Sequence, residues 1–80
     1  MSNRFIIDTD TPTKKQVIAA LKRLKTTINV VDGGQYQQDR YYSQVWIETL
    51  KTETELENWL YNSSIPMLDY VGVVATDKEF

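Results

Sequence analysis

The segment YYSQVWIETL, residues 41–50, carries the strongest β-strand signal in the chain: β-branched and aromatic residues with no glycine or proline among them. Side chains of an extended segment alternate between two sides. One side would carry Tyr41, Ser43, Val45 and Ile47, and the other would carry Tyr42, Gln44, Trp46 and Glu48. Periodicity alone leaves open which side faces the core. Val45 and Ile47 are the more natural core pair, and in that case Tyr42 and Trp46 are exposed.

One helix is predicted after this strand in the sequence and another before it. Downstream, Thr52 and Glu55 have the spacing of a capping box, and the helix that follows ends near residues 62–64, before Pro66. Its apolar stripe consists of Leu56, Trp59 and Leu60. Upstream, Thr13 and Gln16 also have capping-box spacing, directly after Pro12. The apolar stripe of that first helix consists of Val17, Ala20, Leu21 and Leu24, with Ile18 on its flank.

Three further strands are predicted at residues 4–8, 28–31 and 68–75, and Asp32-Gly33-Gly34 has the composition of a turn. The resulting order is βαββαβ, with no repeat or linker, so residues 1–80 are expected to form a single domain. This order predicts an α+β, ferredoxin-like fold, in which a four-stranded antiparallel sheet carries two helices on one face. The opposite face of the sheet would then be open.

The composition argues against most catalytic chemistry, because the chain contains no histidine and no cysteine. It therefore lacks the usual general base near neutral pH, the thiol nucleophile and the common ligands of zinc, copper and haem. Acidic residues such as Asp8 and Asp10 lack the spacing of a calcium loop. We therefore expect a protein that is not an enzyme and that uses no cofactor or metal.

Charge is distributed unevenly along this small acidic protein. Residues 1–27 contain six basic and two acidic residues, whereas residues 28–80 contain three basic and nine acidic residues. Two interpretations remain open. A basic helix lies beside an acidic one as solvated neighbours, or the charged poles survive on the folded surface and steer a partner.

Residues 52–61, TETELENWLY, resemble the acidic, capped helix of some short bacteriophage-encoded accessory proteins of the anti-CRISPR kind. The resemblance implies a viral inhibitor that occupies a surface of a host complex that handles nucleic acid. It transfers no individual functional residue.

The function expected from these observations is binding of a protein partner without catalysis. The candidate contact residues are Tyr42, Gln44, Trp46 and Glu48 on the strand and Glu53, Glu55 and Glu57 on the second helix. One alternative is a structural or regulatory module that associates with itself as a homodimer. A weaker alternative is an RNA or single-strand binder that stacks bases on the sheet aromatics. The acidic composition disfavours nucleic acid. No apolar leader or membrane span is apparent, so we expect a cytoplasmic protein, in the host cytoplasm if phage-encoded.

Overall fold

The computed structural model describes residues 2–35, 41–65 and 72–77. Within them the chain forms β1 (Asn3–Asp10), a 3-10 turn (Thr11–Thr13), α1 (Lys14–Lys22), β2 (Thr27–Gln35), β3 (Tyr42–Thr49), α2 (Glu53–Tyr61) and β4 (Gly72–Ala75). This is an α+β architecture, as predicted. Residues 68–71 of the predicted last strand lie outside the described residues. No helix in the described part is long and apolar enough to span a membrane.

The four strands form one antiparallel sheet in the order β2-β3-β1-β4. The first strand therefore lies at the centre, paired with β3 on one side and with β4 on the other. Within the central pair, Ile6 lies opposite Trp46 and Arg4 lies opposite Glu48. The predicted alternation is confirmed for residues 42–49, since Ser43, Val45, Ile47 and Thr49 are buried while Tyr42 is exposed. Tyr41 precedes β3 and is exposed, and Trp46 is half-buried rather than exposed.

One hydrophobic core joins one face of the sheet to both helices. Its buried members include Phe5 and Ile7 of β1, and Val45 and Ile47 of β3. The helices contribute Val17, Ala20, Leu21, Leu56 and Leu60, and Leu24 and Val73 complete the cluster. The predicted helical stripes are thus the residues that pack on the sheet. Trp59 joins the helices directly, because its indole N–H donates to the Ala20 carbonyl of α1 at 2.8 Å.

The capping box predicted at Thr13 and Gln16 is wrong. Thr13 is buried, and its hydroxyl donates to the Asp10 carbonyl at 3.0 Å and lies 2.8 Å from the Thr9 hydroxyl. It makes no side-chain cap to α1. The tight turn over Thr11–Thr13 turns this hydroxyl back toward β1 and so removes it from the first amides of the helix. The box at Thr52 and Glu55 is confirmed, with both reciprocal hydrogen bonds present.

The turn predicted at residues 32–34 is also wrong, because β2 continues through both glycines to Gln35. The chain accommodates them with a register shift between Asp32 and Gly34, and only Gly34 has a positive φ, of 81°. The Asp32 carboxylate accepts the Gly34 N–H at 2.8 Å and lies 3.1 Å from the Lys14 ammonium, and these two contacts lower its pKa. Here the glycines form a bulge within a strand rather than a chain reversal.

Candidate protein-binding surface

The outer sheet face is the side of the sheet that points away from α1 and α2. Side chains reach it from alternate positions of each strand, because their neighbours in sequence are directed into the core. Its residues include Arg4, Ile6 and Asp8 of β1, Asn29, Val31 and Gly33 of β2, Tyr42, Gln44, Trp46 and Glu48 of β3, and Val74 of β4. The four candidate residues on β3 therefore lie together on this face.

An apolar row crosses the outer sheet face with one residue from each strand. In register, Val31 lies opposite Trp46, Trp46 opposite Ile6, and Ile6 opposite Val74. Directly opposed side chains in a sheet are close enough to pack against each other. Val74 is 56% exposed at the edge, while the other three are half-buried. The row is therefore a continuous apolar strip with an accessible end.

Trp46 is positioned by two neighbours on the same face. Its indole N–H donates to the Gln44 side-chain oxygen at 3.3 Å. On β2, a Cβ atom at Gly33 would lie only 2.6 Å from the Trp46 Nε1, so only glycine leaves room for the ring there. The missing side chain of Gly33 thus contributes to the placement of Trp46.

A polar boundary lies on either side of the apolar row. Toward one end of the strands, the Arg4 Nε lies 3.4 Å from a Glu48 carboxylate oxygen, which also accepts the Ser2 hydroxyl at 2.7 Å. Toward the other end, Asp8 lies opposite Gln44. Beyond them the Tyr42 ring meets the Tyr41 ring edge-on, with centroids 5.1 Å apart. The surface therefore has an apolar centre and a polar rim.

The three candidate glutamates lie elsewhere, on α2 and on the helix side of the sheet. Glu55 belongs to the capping box, and the Thr52 backbone N–H, followed by the Thr52 hydroxyl and Lys51, lowers its pKa. Glu53 and Glu57 are one turn apart, whereas Glu55 lies about 160° around the helix axis from each. The structure thus does not gather the three carboxylates into one cluster, nor join them to the aromatic residues of β3.

Charge complementarity between the helices does not take the form of ion pairs. Within the described residues, the ion pairs are Arg4–Glu48, Lys14–Asp32 and Lys51–Glu55, and none joins α1 to α2. The same part of the chain contains no group of three or more acidic residues that could hold a metal ion. Glu53 lines a cleft of about 500 Å³ together with Arg4, Phe5 and Thr76.

Sequence reasoning missed Arg4, Ile6, Val31, Gly33 and Val74 as members of this surface. Each lies on a strand other than β3, and no local pattern indicates which strand pairs with which. Asp8, for which the sequence offered only a metal-ligand interpretation, also lies on this face. No family model, curated protein or solved structure matches this chain.

Proposed function

We propose that this chain is a non-catalytic protein-binding module and that its contact surface is the outer sheet face. The observation that carries the proposal is the apolar row Val31, Trp46, Ile6 and Val74, which crosses all four strands. Interfaces between proteins combine an apolar centre with a polar rim, and tryptophan and tyrosine are their usual anchors. Arg4, Glu48, Asp8 and Gln44 supply such a rim here.

The charges of this face favour a protein over a nucleic acid. Among the residues of this face that the structure describes, the basic one is Arg4, and it is paired with Glu48. Binding of a phosphate backbone depends on unpaired cationic surface. Trp46 and Tyr42 are therefore better suited to packing against apolar side chains than to stacking bases beside phosphates.

Inhibition of a host complex by a phage-encoded protein stays a prediction. It rests on the resemblance of residues 52–61, and three of those residues have structural roles within the chain. Thr52 and Glu55 cap α2, and Trp59 bonds to α1. The proposed contact surface therefore does not depend on α2 or on its glutamates.

We also infer that the architecture is the ferredoxin-like one. Two observations support this. In each βαβ half, the strands that flank the helix are separated in the sheet by one other strand, as the order β2-β3-β1-β4 requires. Both helices also contribute to a single core on one face of the sheet. These are the features of two interlocked, split βαβ units.

The test compares two exposed apolar positions on opposite sides of the sheet. Val74 lies on the outer sheet face and is 56% exposed, whereas Tyr61 lies on α2 and is 60% exposed. Wild-type, Val74→Glu and Tyr61→Glu proteins are each immobilised, and a nuclease-treated bacterial lysate is passed over them. In a separate experiment, soluble wild-type protein is passed over the same immobilised proteins. We expect Val74→Glu to lose most of the protein that the wild type retains, and Tyr61→Glu to retain it.

Circular dichroism of both variants establishes that each is folded before retention is compared. Loss of retention in Tyr61→Glu with full retention in Val74→Glu would assign binding to the helix side of the molecule. A wild-type protein that retains neither itself nor any other protein would contradict the proposed function. Retention that depends on added single-stranded RNA would favour the nucleic-acid alternative instead.

A further inference from the structure

We propose that the occupant of the outer sheet face is the same face of a second copy of this chain. This inference rests on the proposed function and names the partner. The dimer is an isologous sandwich of two sheets. Its two-fold axis lies between the two sheets and parallel to the strands, level with the line midway between β1 and β3. The argument comes from the residues that this axis brings into opposition.

The strand order makes the face self-complementary about that axis. Rotation by half a turn places β1 of one copy over β3 of the other, and β2 over β4, because the sheet order is β2-β3-β1-β4. An axis parallel to the strands also preserves position along them. A residue of β1 or β3 therefore faces the residue that is its cross-strand neighbour in its own chain, and a residue of β2 or β4 faces the residue at the other end of the same row.

The apolar rows of the two copies then coincide. Ile6 of one copy faces Trp46 of the other, and Val31 faces Val74, because these four residues share one row of the sheet. All four positions of the row meet an apolar partner. The exposed Val74 is covered in the process.

The charged rows coincide as well, with opposite signs in contact. Within one chain Arg4 lies beside Glu48, with 3.4 Å between Nε and Oε2. In the sandwich, Arg4 of each copy faces Glu48 of the other, so four charges alternate in sign around a ring. Asp8 likewise faces Gln44 of the second copy, whose side-chain amide is a suitable donor to a carboxylate.

The available area is sufficient for a specific but reversible dimer. Strands of eight, nine and eight residues and a short β4 of four residues cover about 450 Å² in projection at ordinary strand spacing. Side-chain relief raises the accessible area above the projection. Two copies therefore bury about 1,000 Å² together, at the lower limit for specific interfaces.

The test exploits the alternating charges. Arg4→Glu places glutamates opposite Glu48 of the second copy, and Glu48→Arg places arginines opposite Arg4. We expect the wild type to dimerise, and each single variant to raise the dimer dissociation constant about a hundredfold, because like charges meet at both symmetry-related contacts. Sedimentation velocity over a wide range of protein concentration measures the mass.

Mixing the two variants is the decisive step. In a heterodimer of Arg4→Glu with Glu48→Arg, both intermolecular contacts join opposite charges again, although the pair within each chain stays mismatched. We therefore expect an equimolar mixture to dimerise when neither variant alone does. The double variant Arg4→Glu/Glu48→Arg restores both kinds of pair and should dimerise by itself, which also shows that charge reversal at these positions is compatible with folding.

Lys22→Glu and Glu57→Arg are the matched controls, since they make the same charge changes on the helices. Both should dimerise like the wild type. A monomeric wild type overturns the inference, and the proposed function then survives only if the Val74→Glu variant loses a different protein. A dimer that Glu48→Arg leaves intact overturns the proposed arrangement, as does a mixture of the single variants that stays monomeric.

Discussion

Gly33 shows how a single residue controls the candidate surface. Its missing side chain leaves the space that the Trp46 indole occupies, and the Gln44 backbone oxygen is also only 3.0 Å from where a Cβ would lie. Gly34 has glycine for a different reason, since its φ of 81° is in the left-handed region and a Cβ there would meet open space. Glycine is therefore required at position 33 by packing and at position 34 by backbone conformation.

Replacing Gly33 with alanine should lower the free energy of unfolding by about 1–3 kcal/mol, because the new methyl group overpacks against Trp46 and Gln44. Urea denaturation of wild-type and variant protein measures the change. In a Trp46→Phe background the cost should fall, since the atom nearest the methyl group is gone. An equal cost in both backgrounds would show that the Trp46 contact is not the cause.

The indole N–H groups of Trp59 and Trp46 make hydrogen bonds of different kinds. The Trp59 N–H donates to the Ala20 carbonyl at 2.8 Å between two packed helices, whereas the Trp46 N–H reaches a side-chain oxygen on its own strand at 3.3 Å. Trp59→Phe should therefore cost about 0.5–1.5 kcal/mol of unfolding free energy. Trp46→Phe should cost less. Chemical denaturation of both variants checks the order, and a reversed order would contradict this assignment of roles.

At the level of elements, α2 begins at a reciprocal cap. The Glu55 backbone N–H donates to the Thr52 hydroxyl at 3.3 Å, and the Thr52 backbone N–H donates to the Glu55 carboxylate at 3.1 Å. The second bond requires an ionised carboxylate for full strength, and accordingly the Thr52 backbone N–H lowers the pKa of Glu55 in the folded state. Ionisation of Glu55 is thereby coupled to folding.

This coupling predicts a specific dependence on pH. Because the pKa of Glu55 is lowered by folding, its contribution to stability is present above its ordinary value of 4.5 and is lost as the pH falls through the folded value. Glu55→Gln should therefore lose stability at neutral pH and differ less from the wild type in acid. Urea denaturation at several pH values tests this, with Glu53→Gln, in the same helical turn, as the control. A Glu55→Gln deficit of equal size at every pH would contradict the coupling.

At the scale of the whole molecule, the central position of β1 joins distant parts of the chain. Ile6 is paired with Trp46 on one side and with Val74 on the other. The chain contains no cysteine, so an introduced pair is free of competing thiols. This makes the sheet order directly testable.

The double variant Ile6→Cys/Val74→Cys should form an intramolecular disulfide on mild oxidation, because these residues are directly opposite in adjacent strands. Closing so long a loop should stabilise the oxidised protein by about 2–4 kcal/mol. Mass spectrometry and denaturation at low protein concentration measure both effects. Ile6→Cys/Tyr61→Cys, with one residue on each side of the sheet, should stay reduced, and a disulfide in that control instead would contradict the sheet arrangement.

Local patterns in the chain were sufficient for several elements. Alternation in residues 41–50 predicted a strand, and the aliphatic character of Val45 and Ile47 favoured their side as the core side. The Thr52 and Glu55 spacing predicted the start of α2. Both depend on interactions between residues close in sequence. The same reasoning failed at Thr13, because the tight turn directs its hydroxyl to Thr9 and Asp10 instead of the helix amides. It also failed at Gly33, because the Trp46 ring of the neighbouring strand occupies the space beside it.

The candidate surface depended on contacts that no local pattern contains. Residues 41–50 determine that Trp46 and Tyr42 share one side of a strand, because side-chain alternation is a property of the extended backbone itself. Only the tertiary structure places Val31, Ile6 and Val74 in the same row as Trp46, and separates α2 with its glutamates from that row. Strand pairing joins residues far apart in the chain, and it is set by how the whole core packs rather than by the identity of neighbouring residues.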